Sequence, residues 1–539
     1  MRIFAIFLFT LLFTQISAQH FEWAASASHF DLGYEFSSVD KDNNIVVGGN
    51  GAKRGEPKIY DGKGNVANIL LEQFPNLILN YSPEGDLNWS ISISSVLHGI
   101  THDENNKTVL LVRKKRRYSL LYLNGAGKII DTILIPYKMK HPNSRSLEIN
   151  FNRFISCPEG GYILTGWFRR KGKIFENLDT KTTREGEKFI LKITKKGIPV
   201  WADILPSGNV IPFPKVSVSS TGVIYVGGTF IYKQTPSYHE SYVISYSARG
   251  KKNWMKLAGK KSIFNSITSN NKGVCIGIQL REKTNEIFDK IIDTASKRFM
   301  CLINFDQKGK LRWAKSSSTD EAYSLKFDRD NNLYVLGGLG YLKNKHFIIG
   351  SDTIIKFGFS NYLACFDKKG TYKWVKKVKV PFARGDNSAN LLLDNCSNIY
   401  ITGYLWFVGT LKMNLMDKAF IKGVGYGGAP LVLRFKNTIP VELAKEKKCI
   451  ISPGPWKIGN YPNPFQSSTT ITYQLSYKDK ATIQIYDLKG SLIQTVFSDK
   501  EHELGKYSVK FNKKLVPGTY FITIRGTETI ATAKIIVVN

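Results

Sequence analysis

Histidine and cysteine are scarce, with 8 His and 6 Cys among 539 residues. Cys157, Cys275, Cys301, Cys365, Cys396 and Cys449 are too few for a disulfide framework in so long a chain, and none falls at a paired ligand spacing. No metal ligand or cofactor is therefore assigned. Cys275, Cys301 and Cys365 sit inside apolar runs, where a free cysteine acts as a small hydrophobe. A Cys275–Cys301 disulfide stays open, because the two fall on consecutive strands of one repeat. Also lacking are a His pair at metal spacing, a Gly-x-Ser-x-Gly elbow and a phosphate-binding glycine-rich loop, so no catalytic residue is nominated. Carboxylates are outnumbered, 43 Asp and Glu against 76 Lys and Arg, for a net charge of +33. Outside a cell such charge favours anionic partners, whereas a lysine-biased solvated surface needs none.

Long apolar runs are confined to the start of the chain. Arg2 precedes an apolar stretch over residues 3–13, followed by Thr14, Gln15 and the small pair Ser17-Ala18. The run is shorter than the roughly 20 residues a spanning helix needs, so residues 1–19 are read as a signal peptide. No later segment is long and apolar enough to span, and no transmembrane segment is expected.

Helix-period stretches are missing as well. What is there instead is 12% aromatic residues and 45 Gly scattered throughout, which suits many short strands joined by tight turns. Internal repetition organises them. Residues 324–378 hold four strands, and the second recurs as Ile45-Val46-Val47-Gly48-Gly49, Val109-Leu110-Leu111-Val112, Tyr162-Ile163-Leu164-Thr165-Gly166, Ile224-Tyr225-Val226-Gly227-Gly228, Val274-Cys275-Ile276-Gly277, Leu333-Tyr334-Val335-Leu336-Gly337-Gly338 and Ile399-Tyr400-Ile401-Thr402-Gly403. Seven copies at this long period point to a β-propeller. Continuous apolar character fits strands packed on both faces. The fourth strand recurs around Trp89, Ile130, Trp201, Trp254, Trp313 and Trp374, only six times in order. Residues 21–28, with Trp23-Ala24, supply the missing copy and complete the last blade, removing the ring's open edge. The recurrent Trp is read as blade-to-blade packing.

These repeats resemble those of secreted propeller proteins of Bacteroidetes-type bacteria, in which a Gly-Asn-type turn precedes Ile-Tyr-Val-Thr-Gly and an acidic-Gly turn precedes Trp-Ala. The resemblance runs from Phe21 to about Phe435 and is weakest in repeats two and three.

Loop lengths separate by face. The first and third connections of each blade are tight, whereas the second is long at residues 168–187, 281–298, 340–361 and 404–429, the expected place for recognition. Arg113, Lys114, Lys115, Arg116 and Arg117 occupy the same connection in repeat two and form the candidate anion-binding site, though five adjacent charges also suit a solvated hairpin tip. Asp40 to Asn44 and Asp328 to Asn332 look like half a calcium loop but lack its Gly at position six and its distal Glu, and read as plain turns.

A Lys-rich, Pro-containing linker over residues 437–457 separates the propeller, residues 20–436, from a small immunoglobulin-like β-sandwich over residues 458–539. There Tyr461, Pro462, Asn463, Pro464 and Phe465 are followed by Thr470-Ile471, Ile485-Tyr486-Asp487-Leu488 with Gly490, Pro517-Gly518-Thr519-Tyr520 and a terminal Lys534-Ile535-Ile536-Val537. In this order these motifs resemble the type A C-terminal sorting domain of type IX secretion. The resemblance implies passage through the periplasm, recognition by the outer-membrane translocon and its sortase-like peptidase, and display on the surface or release.

The expectation is thus an all-β chain, a seven-bladed propeller with a sorting sandwich. It would act as an exported, monomeric, non-enzymatic binding module for glycan, lipopolysaccharide or another polyanion, or for protein. The alternative is a polysaccharide-active hydrolase or lyase with its site on the long-loop face or in the central channel.

Overall fold

The computed structural model describes residues 20–436 and 457–539, apart from short connecting intervals of which 138–148 and 379–388 are the longest. The signal peptide, nearly all of the linker and Cys449 lie outside the described residues. The chain divides into two compact units, one of repeats and one of C-terminal strands.

Seven four-stranded antiparallel sheets make up the first unit. Their inner strands are Phe36–Val39, Val96–His102, Ile149–Ser156, Lys215–Val218, Ser262–Asn270, Glu321–Phe327 and Ala389–Leu393. Each packs on the next, and the seventh returns to the first, so the ring is closed. The second strands are buried along the runs seen in the sequence, as in Ile45–Gly49, Gly273–Leu280 and Leu333–Gly338. The fold is therefore the all-β propeller expected.

Blade seven takes its fourth strand from the other end of the chain. His20–Phe30 pairs with Ala419–Lys436, Trp23 opposite Arg434 and Ala24 opposite Leu433. Phe21 meets Phe435 edge-on, with ring centroids 5.8 Å apart, and Glu22 forms an ion pair with Arg434. The far half of the same strand pairs with Lys53–Tyr60, which pairs in turn with Val66–Asn68. This extension arises from the second connection of blade one.

The tryptophans lock neighbouring blades. In each case the indole lies over the turn between the third and fourth strands of the next blade. Trp201 donates from Nε1 to Ala248 O at 3.2 Å, Trp254 to Gln307 O at 2.8 Å and Trp23 to Pro83 O at 2.9 Å. Gly250 in that turn has a φ of 86°, and a Cβ there would stand 2.6 Å from Trp201. Only glycine combines that backbone with so close a ring. Trp89, Trp254 and Trp313 cover Gly127, Gly309 and Gly370 in the same way.

Blade two departs from this pattern. Its register places Asp131, not Ile130, opposite Tyr122 on the rung held elsewhere by Trp, because the strand bulges just before it. Gly197 of blade three accordingly meets Ile133 and the Leu134 carbonyl rather than an indole. Residues 404–429 also differ from a free loop, since Ile399–Leu415 and Ala419–Lys436 stay in register to their tip. The second connections of blades three, five and six each carry a short hairpin.

Cys157, Cys275, Cys301 and Cys365 are free and buried, which rules out the Cys275–Cys301 bond left open above. Cys275 stands opposite Asn304 and Cys301 opposite Ile278, so the two are staggered along the ladder. Cys396 is disulfide-bonded.

The second unit is a sandwich. One sheet holds Lys457–Tyr461, Thr469–Leu475 and Gly505–Phe511; the other holds Asp479–Tyr486, Leu492–His502, Gly518–Arg525 and Ile530–Val537. Alternating inward residues, among them Ile471, Ile483, Ile485, Ile522, Ile524 and Ile535, fill the space between.

Candidate functional site

The inner strands are short and polar, and the ring turns their side chains toward one another. They enclose a cavity of about 190 Å³ on the propeller axis, to which all seven contribute. Its polar lining is Ser37, His98, Asn152, Arg153, Lys215, Ser266, Tyr323, Ser324, Lys326 and Asn390, set among Phe36, Phe154 and aliphatic residues. Three fixed cations thus face it, and no Asp or Glu is among the described lining residues.

Four of the inner strands carry a β-bulge at the same level. Pairing with the second strand slips by one residue between Leu97 and Gly99, Phe151 and Arg153, Phe264 and Ser266, and Ala322 and Ser324. The extra residues are His98, Asn152, Asn265 and Tyr323. A bulge re-aims a side chain and is common beside functional sites. Asn152 Oδ1, Asn265 Oδ1 and Ser266 Oγ are shielded from solvent and have no hydrogen-bond partner.

A separate belt of polar contacts holds successive inner strands together. Ser38 meets His102 Nδ1 at 2.9 Å, Thr101 donates to Ser156 at 3.1 Å, Ser217 pairs with Ser269 at 2.8 Å and Thr402 donates to Ser37 at 2.9 Å. The Leu391 amide donates to Ser324 Oγ at 3.1 Å.

Histidine protonation follows from this packing. His98 accepts at Nε2 from Arg113 Nε at 3.1 Å, so its proton sits on Nδ1, which donates to the Phe151 carbonyl at 3.1 Å. Desolvation and the Arg113 charge pull its pKa down to about 4. Desolvation alone does the same to His102, whose Nε2 is shielded and unpartnered. Both are neutral when folded and charge at their ordinary value of 6.5 when unfolded, so the unfolded state binds more protons between pH 6.5 and 4. Stability falls as pH drops through that window, by on the order of 3 kcal/mol for each group. In thermal unfolding across this range, His102→Gln should show a shallower pH slope than the natural chain; an unchanged slope would exclude His102 as a contributor.

Lys326 loses hydration in the channel wall, which pulls its pKa below the ordinary lysine value.

The basic run forms a tight hairpin. Lys114 pairs with Arg117, leaving Lys115 and Arg116 at the turn, with Lys115 at a φ of 56°. Lys114, Lys115 and Arg117 are exposed, whereas Arg113 turns back to His98 on the channel wall. The run is thus split between a solvated tip and one residue behind the channel. The channel residues themselves were not marked by any local motif, because each comes from a different repeat.

The sorting-motif residues divide by role. Asn463 donates to Lys534 O at 3.0 Å and accepts from the Ile536 amide at 2.9 Å, fastening its segment to the last strand. Phe465, 3% exposed, enters the core, while Tyr461 is 80% exposed. Pro462 accepts at its carbonyl from Thr469 at 2.8 Å, and Asn463-Pro464 completes the entry to Phe465. Asp487 accepts from the Ser491 amide at 2.8 Å and Gly490 adopts a φ of 82°, together shaping a turn. Gly518 opens its strand, and Tyr520 donates to Val516 O at 2.8 Å.

No helix among the described residues is long and apolar enough to cross a membrane. Residues 460–538 match the family described as the secretion system C-terminal sorting domain. No curated protein matches the sequence. Among solved structures, the Dos1 propeller is 8% identical, with 78% of this chain and 96% of that chain covered and a TM-score of 0.41. PorZ of Porphyromonas gingivalis, a surface component of its type IX secretion system, is 11% identical, with 93% and 92% covered and a TM-score of 0.20. A Bacteroides caccae protein of unknown function is 10% identical, with 57% and 92% covered and a TM-score of 0.29. At these scores the propeller assignment rests on the strand pairing itself. The C-terminal unit is a type IX secretion sorting domain, and it directs this propeller protein to the cell surface or to secretion.

Proposed function

We propose that the protein is a non-enzymatic binding module, exported behind a signal peptide at residues 1–19, whose propeller takes an anionic glycan or related polyanion. The observation carrying this reading is the axial cavity, where Arg153, Lys215 and Lys326 converge from three blades. Fixed cations in a site of reduced dielectric attract an anion more strongly than surface lysines do. Glycoside hydrolysis needs two carboxyl groups about 5 to 9.5 Å apart, and the cations here would hold an acidic sugar without supplying that pair. The hairpin tip of Lys114, Lys115 and Arg117 offers a second, weaker contact for a chain leaving the channel. In the sorting domain, exposed Tyr461 and the turn at Asp487 and Gly490 are the proposed contacts for the translocon and its peptidase.

The test is an acidic-glycan and polyanion array probed with mature protein, followed by assays for new reducing ends or unsaturated products. Binding with no product is expected. Steady product formation would replace the binding reading with the hydrolase or lyase alternative.

A further inference from the structure

The bulged level of the channel carries two kinds of demand at once. Lys326 and Lys215 supply positive charge from opposite stretches of the repeat array, and Arg153 adds a planar donor able to engage two oxygens of one oxyanion. On the same wall, Asn152 Oδ1 is an acceptor with no donor, and Ser266 Oγ, in a residue only 2% exposed, lacks any partner. A buried polar atom left unmade costs roughly 1–3 kcal/mol, so a ligand that satisfies it gains correspondingly. Halide or inorganic phosphate would answer the cations but bring few or no hydroxyl donors to Asn152. A neutral sugar would do the reverse.

We infer that this level is a subsite for a single sugar ring bearing an oxyanion, its charged group toward Arg153, Lys215 and Lys326 and its hydroxyls toward Asn152 and Ser266. This deepens the binding reading above and rests on it. Size agrees, since a cavity of about 190 Å³ is below the roughly 300–1,000 Å³ of drug-sized pockets and suits one ring, not a long segment. Phe36, Phe154 and Tyr323 provide the apolar and aromatic surface on which the C–H face of a sugar rests. The reduced hydration of Lys326 is consistent with a cation held ready for a counter-charge.

Calorimetric titration of mature protein with galacturonate, galactose 6-sulfate, galactose 6-phosphate and galactose tests this and identifies the oxyanion. At least one charged sugar should bind about tenfold or more tightly than galactose, as one charge-assisted hydrogen bond predicts, and should weaken with added salt. Lys326→Met and Asn152→Asp, both checked for an unchanged melting midpoint, should each lose about tenfold or more. Lys215→Met serves if either variant fails to fold. Equal binding of galactose and its charged forms overturns the subsite, as does full affinity in the channel variants. If array ligands are lost on Lys115→Ala with Arg117→Ala but not on Lys326→Met, the subsite falls while the binding reading stands. If nothing on the array binds, both fall.

Discussion

Removal of residues 21–28 should unfold the propeller as a unit, not merely trim it. Those residues form the outer strand of blade seven, and without them Leu431, Val432 and Leu433, all fully buried, lose their paired neighbour. Trp23 is 5% exposed and packs with Tyr81 of blade one and Tyr400 of blade seven, so its loss also separates the two blades that meet at the closure. The single change Trp23→Ala should cost about 3–5 kcal/mol, the range for a buried aromatic, and the deletion more than the roughly 5–15 kcal/mol that keeps most domains folded. Circular dichroism melts and limited proteolysis read both. A deletion variant melting like the natural chain would mean that the clasp contributes nothing to the ring.

Removing residues 456–539 should leave a folded propeller that never reaches the surface. The sorting unit has its own core, with Phe465, Ile483, Ile522 and Ile535 buried among themselves, so its loss leaves the propeller core intact. Protease shaving of intact cells against periplasmic extracts should find the truncated protein entirely in the periplasm, with an unchanged melting midpoint. Surface display of the truncation would remove the tail's role in export. A milder variant, Asn463→Ala, breaks two hydrogen bonds to the last strand and should reduce display in proportion to the unfolding of the sandwich.

What the sequence made legible followed from local pattern. Second strands such as Leu333–Gly338 are uninterrupted apolar runs because both faces are packed, and Trp201 and Trp313 stand at equivalent points because each must reach a glycine turn in the next blade. The tail was legible because its turn and strand residues occur in one short, ordered stretch. The channel was not. Its lining comes one or two residues at a time from seven distant strands, and short polar segments such as Lys215–Val218 carry no periodic signal. The bulges at His98, Asn152, Asn265 and Tyr323 depend on a one-residue slip in pairing that composition does not record. Asp131 was misplaced by one for the same reason. Arg113 was singled out for its charge, yet its contact is with a histidine ring from the inner strand, a partner that only the blade fold supplies.

The joint between Glu22 and Arg434 spans 412 positions of the chain. Translation and membrane passage deliver these residues at opposite ends of the process, so blades one to six must assemble beside an unfinished seventh. Chain closure over such a distance is slow and entropically costly, and it comes last. Any product ending short of residue 430 lacks the receiving strand, leaves two frayed borders and offers proteases an entry that the finished ring denies them. The circle thereby works as a completeness check, passing only molecules whose beginning and end have both arrived.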